Sequence, residues 1–192
     1  MNTFRYKPPS DWSEGKSNQM FLGFCTMLSY IDNFFKSRND LKMIEIGAYM
    51  GESTSLFSST GMFSEIHCIE PFDHDQDCLD VLGHKDWDLV NEQFKINTRL
   101  FDNIKLYQDF SYNVSDIFDN NSFDFVYIDG NHDYEAVIND IENYKKKLKG
   151  NSLIGGHDID YDGVKEAVKE VFGEADETFS DFSWIKINND KE

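Results

Sequence analysis

Met43-Ile-Glu-Ile-Gly-Ala-Tyr-Met-Gly-Glu-Ser-Thr54 decides the fold. The apolar run at 43–46 reads as a buried strand, Gly47 and Gly51 as a tight turn, and Ser53-Thr54 as the opening of a helix. A strand passing through a glycine turn into a helix is how an α/β sheet brings backbone close to a nucleotide-like ligand. Glu45 stands at the strand end just before the glycines. A carboxylate there suits a cationic ligand better than a pyrophosphate.

Outward from this stretch, strands and helices alternate. Glu65-Ile-His-Cys-Ile-Glu70 reads as a second strand, ended by Pro71. The polar segment from Asp73 to Lys85 reads as a surface excursion, and Leu89, Val90, Phe94, Leu100 and Phe101 as the following helix. Strands are expected at 103–107, 123–128 and 152–155. Tyr134, Val137, Ile138, Ile141, Tyr144 and Leu148 mark a long amphipathic helix, with Lys145 to Lys149 and Gly150 as its stop signals. Val164, Val168, Val171 and Phe172 mark another helix, and the runs near 177–179 and 184–187 read as a hairpin around Asp181-Phe182. Before the core, Met20, Phe21, Phe24, Met27, Leu28, Ile31, Phe34 and Phe35 form a helical stripe that reads as packing. Pro8, Pro9 and Gly15 interrupt a loose arm ahead of it. The reading is one domain over 1–192, with the arm and helix at 1–38 and a core at 40–187. Alternating strands and helices imply a parallel sheet covered on both faces, with ligands at the carboxyl ends of its strands.

Composition narrows the function. With 40% hydrophobic and 15% aromatic residues among 192, the chain has a globular makeup. Asp and Glu number 36 against 18 Lys and Arg, a net charge of −18. That field repels nucleic acid and anionic membrane surfaces, so neither is an expected partner. Cys25, Cys68 and Cys78 show no metal-ligand spacing and leave an odd count, which points to a reducing, cytoplasmic setting. No apolar run approaches the ~18 residues of a membrane span.

The glycine spacing also selects the cofactor. A dinucleotide fold packs a Gly-x-Gly-x-x-Gly turn around a pyrophosphate. Here the order is Glu45-x-Gly47-x-x-x-Gly51, with Tyr49 where the second close glycine would fall. Glu45, Glu52, Glu70, Asp109 and Asp129 crowd the same end of the sheet, where an anion meets repulsion and a sulfonium-bearing amino acid does not. Both observations favour S-adenosylmethionine over a nicotinamide dinucleotide. Glu70 is placed for the ribose hydroxyls, and Asp109 and Phe110 for the adenine. Gly47, Ala48, Tyr49, Gly51 and Ser53 complete the expected contacts, with Asp129 beside them.

Four motifs carry a family resemblance: Ile44-Glu-Ile-Gly-Ala-Tyr-Met-Gly-Glu-Ser53, Cys68-Ile-Glu70, Val126-Tyr-Ile-Asp-Gly-Asn-His-Asp-Tyr-Glu135 and Leu148-Lys-Gly-Asn-Ser-Leu-Ile-Gly-Gly-His-Asp158. The chain resembles the class I S-adenosylmethionine-dependent methyltransferases, and within them the macrocin-type sugar O-methyltransferases. The resemblance implies a Rossmann-like, doubly wound α/β sheet of seven strands. It is mostly parallel, with an antiparallel last strand and helices on both faces. It also implies a small-molecule or glycan acceptor, and self-association is common in the group.

Asp129 and Asp158 end adjacent strands, so their carboxylates are expected to meet. Oxygen ligands in that arrangement suit Mg²⁺ or another divalent metal, and a metal-free site is the alternative. His157 is a third candidate ligand, although relatives often place an acid there. His132 is the candidate general base, since an imidazole accepts an alcohol proton near neutral pH and similar enzymes use a histidine at this offset. Its other readings are a cap for the helix at Asp133 or a contact to the cofactor carboxylate. A cofactor-binding accessory protein without turnover stays open beside the enzyme reading.

Overall fold

The computed structural model describes residues 16–73 and 86–189. The N-terminal arm, Trp12, Cys78 and all but the first residue of the 73–85 excursion lie outside the described residues. Seven strands form one sheet in the order β3-β2-β1-β4-β5-β7-β6. They are β1 (Leu41–Ile46), β2 (Phe63–Ile69), β3 (Ile104–Tyr107), β4 (Phe123–Ile128), β5 (Leu148–Gly156), β6 (Glu177–Thr178) and β7 (Trp184–Asn188). The first five pair in parallel, and β7 runs antiparallel to both β5 and β6. The expected doubly wound sheet and its C-terminal hairpin are both present.

Six α-helices accompany the sheet among the described residues: α1 (Lys16–Phe34), α2 (Glu52–Ser59), α3 (Trp87–Thr98), α4 (Ser111–Val114), α5 (Tyr134–Tyr144) and α6 (Asp162–Phe172). The two-residue period of the strands sorts their side chains into two cores. Met43, Phe125 and Tyr127 join Phe24, Met27 and Ile31 of α1 and Phe57 of α2 on one face. Ile44, Ile46, Val126 and Ile128 join Val137, Ile141 and Tyr144 of α5 and Val164 and Val168 of α6 on the other. Phe57 is the hub of the first core, with ring centroids of Phe24 at 5.1 Å and Tyr127 at 5.2 Å.

One boundary differs from the periodicity. The helix expected to run to Leu148 stops at Tyr144, and Lys145–Lys147 form a single 3₁₀ turn. Leu148 already belongs to β5, paired with Phe123 and buried. Lys147 is buried too, its amine donating to Phe118 O and Asn120 Oδ1, both at 3.0 Å. Lys145 caps α5 as a stop signal should, but Lys147 closes the start of β5 and Lys149 lies within it. Similarly, α3 ends at Thr98, leaving Leu100 exposed beyond it.

Beyond its pairing with β5, the hairpin makes two contacts that bear on the site. Ile159 N donates to Phe182 O at 3.1 Å, just past the end of β5. On the other side α1 meets it through a glycine, for a Cβ at Gly23 would lie 2.3 Å from Asp181 N.

Asp140 on α5 supplies a stability test. It is buried, accepts from Ser111 Oγ at 2.5 Å, and burial pushes its pKa up to about 6 from 3.8, against the pull of that bond. Folding thus favours the protonated form, so this contribution is complete below 3.8 and is lost as pH rises through about 6. The difference amounts to about 3 kcal/mol. Asp140→Asn keeps the acceptor for Ser111 and removes the charge. Urea unfolding should show the variant gaining on the wild-type chain as pH rises from 3.8 to about 6 and holding that gain at higher pH, with little advantage below 3.8. A gain that ignores pH would contradict the burial argument.

Candidate functional site

Strand order sets the carboxyl ends of β3, β2, β1, β4 and β5 side by side. Along that edge lie Asp109, Glu70, the 47–51 turn, Asp129 and the His157-Asp158 pair, with the change in winding direction between β1 and β4. The sequence placed its candidates at strand ends, and the fold collects them in one row.

Gly47 adopts φ +84° and donates its N–H to Ile69 O at 3.0 Å. A Cβ there would sit 2.0 Å from Asp129 O, so the turn after β1 and the end of β4 touch backbone to backbone. At Gly51, which caps α2, a Cβ would meet the Phe94 ring at 2.8 Å and Thr98 Cγ2 at 2.9 Å. Ala48 is buried beneath the turn.

Glu45 is fully buried on the α2 face of β1. Its Oε1 accepts from Ser53 Oγ and its Oε2 from Thr54 Oγ1, each at 2.5 Å, and the Cys68 thiol lies 3.5 Å away. Burial raises its pKa to about 7, with the two hydroxyls pulling the other way. The carboxylate thus ties the first turn of α2 to β1. Glu70, also buried, accepts from Tyr49 N at 2.9 Å and Phe72 N at 3.1 Å, fixing the turn from the β2 side. Asp109 accepts from Asn113 Nδ2 at 2.7 Å and Phe110 N at 2.8 Å, which hold its pKa below the usual range. The Phe110 ring stacks on Tyr112 at 5.4 Å.

Beyond the turn, two histidines clamp one carboxylate. His132 Nε2 donates to Asp158 Oδ2 at 2.9 Å and His157 Nδ1 donates to Asp158 Oδ1 at 3.0 Å. Asp158 itself has φ +58°, an uncommon conformation for a residue with a side chain. Burial alone would raise the Asp158 pKa, but the two imidazoles outweigh it and hold the carboxyl well below its ordinary range. Burial likewise opposes charging His157, yet Asp158 and Asp129 keep its pKa up at about 9. Asp158 raises His132 as well, against burial. Asp129 is pushed to about 6 by burial, with His157 opposing.

Three ligand atoms, one each from Asp129, His132 and Asp158, lie within 4.8 Å of one another. The sequence reading paired His157 with the two acids; the compact trio contains His132 instead, and His157 Nδ1 stands 3.9 Å from Asp129 Oδ1. Strand ends alone did not reveal this, because the loop from Asp129 folds back over Asp158. Two other contributors escaped the reading. Thr54 reads in the sequence only as the opening of a helix, and Gly163, whose Cβ would strike the His132 carbonyl at 2.3 Å, belongs to no motif. A glycine in the first turn of a helix, where alanine is the better former, was the available signal.

The methyltransferase-domain family model matches residues 44–159, from β1 to just past Asp158. The chain is 30% identical over 144 residues to an uncharacterized protein of Acanthamoeba polyphaga mimivirus, covering 70% of this chain and 59% of the viral one. It thus spans under two thirds of that relative. Among solved structures, a cofactor-bound protein from MTB superposes with a TM-score of 0.60 at 12% identity, covering 93% of this chain and 83% of that one. A precorrin-6y methyltransferase from Geobacter metallireducens gives 0.54 at 17% identity, covering 76% and 66%. At such identities these likenesses speak for the fold. No helix among the described residues is long and apolar enough to cross a membrane.

Proposed function

The chain belongs to the methyltransferase-domain family, and from that premise we propose that it is an S-adenosylmethionine-dependent O-methyltransferase for a small hydroxylated acceptor such as a sugar. The observation that carries the reading is the His132–Asp158 pair, an imidazole oriented by a carboxylate, on the strand ends next to the glycine turn. Gly47 to Gly51, Glu70, Asp109 and Phe110 would hold the donor. The acids of this edge suit its cationic groups, and the touching backbones of Gly47 and Asp129 suit a ligand laid across both strands. When bound, S-adenosylmethionine supplies a methyl group on a sulfonium that an oxygen nucleophile attacks in line. His132 takes the acceptor proton at the ring nitrogen not engaged with Asp158, and Asp158 stabilises the resulting imidazolium. Holding acceptor and donor in line is worth up to ~7–11 kcal/mol over free encounter.

A second reading rests on the ligand trio. The oxygens of Asp129 and Asp158 with the His132 nitrogen fit a divalent cation, which would acidify the acceptor hydroxyl directly. One experiment separates the two. The purified chain is stripped with EDTA and assayed for transfer of labelled methyl to a panel of glycosides and simple alcohols, with and without added Mg²⁺ or Mn²⁺. Transfer that survives chelation assigns the work to the imidazole and carboxylate. Transfer lost on chelation and restored by metal assigns it to a cation. No transfer to any hydroxyl acceptor, with S-adenosylhomocysteine still bound, would sink the O-methyltransferase reading in favour of an accessory role.

A further inference from the structure

Three contacts on His132 come from one short segment, residues 158–163. Asp158 Oδ2 engages Nε2 at 2.9 Å. The Tyr161 ring lies against the imidazole, centroids 4.9 Å apart and tilted by 44°. Gly163 comes so close that a Cβ on it would lie 2.3 Å from His132 O and 2.9 Å from Tyr134 N. The segment is itself anchored: Tyr161 N donates to Asp158 O at 2.9 Å, and Ile159 N is held by Phe182 O.

Gly163 is the second residue of α6, where glycine costs about 1 kcal/mol relative to alanine. Nothing in its own backbone calls for glycine, since it lies within a right-handed helix. What the missing side chain permits is contact between the first turn of α6 and the peptide of His132. Gly130, two residues before His132, makes the contrast, because a Cβ there would meet only Ile46 Cγ2 at an ordinary 3.5 Å.

We infer that Gly163 is a positioning residue for His132, fixing where the imidazole stands between Asp158 and the Tyr161 ring. The consequence for turnover rests on the reading of His132 as the base; the geometric claim does not. A methyl group at 163 must push the 131–134 loop away from α6 and carry the imidazole with it, and a shift of ~1 Å at a reacting group costs about a hundredfold in rate.

The test reads the imidazole directly. The chain has five histidines, so the His132 ring resonances can be assigned by comparison with His132→Gln. Those resonances carry the ring-current shift of Tyr161. In Gly163→Ala they should move, S-adenosylhomocysteine affinity should stay within about twofold, and turnover should fall about a hundredfold with acceptor KM little changed. Unmoved resonances in a folded Gly163→Ala chain overturn the inference. If that variant does not fold, the Tyr161 pair decides, because this side chain is half exposed and tolerates change. Tyr161→Ala should move the His132 resonances and Tyr161→Phe should keep them, and resonances indifferent to both overturn the inference. A wild-type chain that methylates no acceptor counts against the proposed function alone, since the resonance measurement needs no acceptor.

Discussion

His132→Ala is expected to lower turnover by roughly 10²–10⁴-fold, the usual worth of a positioned general base. Cofactor affinity should barely change, because the donor-side turn is held by Glu45 and Glu70, and neither bonds to His132 among the contacts described. The pH profile offers a second handle. Its bond to Asp158 raises the His132 pKa above 6.5. Since the base must be neutral to accept a proton, kcat/KM should rise with pH through a limb lying above 6.5. Asp158→Asn removes the partner that raises this pKa, so the limb should move to lower pH while the rate falls. Calorimetry with S-adenosylhomocysteine and a pH–rate series check both halves. Unchanged turnover in His132→Ala would end the base assignment.

Gly47→Ala should have the largest effect on the fold. Two costs add there. The φ of +84° is unfavourable for any side chain, and the new methyl would overlap Asp129 O at a distance of 2.0 Å. Overpacking of that kind costs roughly 1–3 kcal/mol, so a total of about 2–4 kcal/mol is expected. Relief requires the ends of β1 and β4 to separate, so Asp129 moves and S-adenosylhomocysteine affinity falls with stability. Gly61→Ala is the internal control, with a similar φ of +73° and nothing within 4 Å of the added Cβ. Thermal unfolding should show Gly61→Ala losing much less. Equal losses would mean that backbone conformation, and not the contact with Asp129, explains the effect.

Most of the sheet was legible because its strands are short apolar runs buried on both faces. β4 is buried at all six positions, and its limits match the sequence reading. Legibility failed at 145–150, where apolar spacing cannot tell a last helical turn from a first strand residue. Leu148 follows Tyr144 by four residues, as a helix requires, yet it pairs with Phe123. The site was legible as a set of strand ends but not as a set of contacts. Glu45 has the same side-chain parity as Met43, which directs it toward α2, and the hydroxyls of Ser53 and Thr54 engage both its oxygens. The substitution of His132 for His157 in the ligand trio depends on a loop folding across two strands, which no local pattern encodes.

The anchoring of Ile159 to Phe182 has a temporal consequence. The segment that holds His132 takes its support from a hairpin made after every other element of the site, and the buried Trp184 at the start of β7 lies under Gly156. A nascent chain that has emerged only through α6 carries every residue assigned to donor binding and to proton transfer, yet lacks the strand that locks β5 and the Asp158 turn. Domains fold as units during synthesis. The row of strand ends therefore reaches its final form only once β7 has joined the sheet, however many of the site's residues have already emerged.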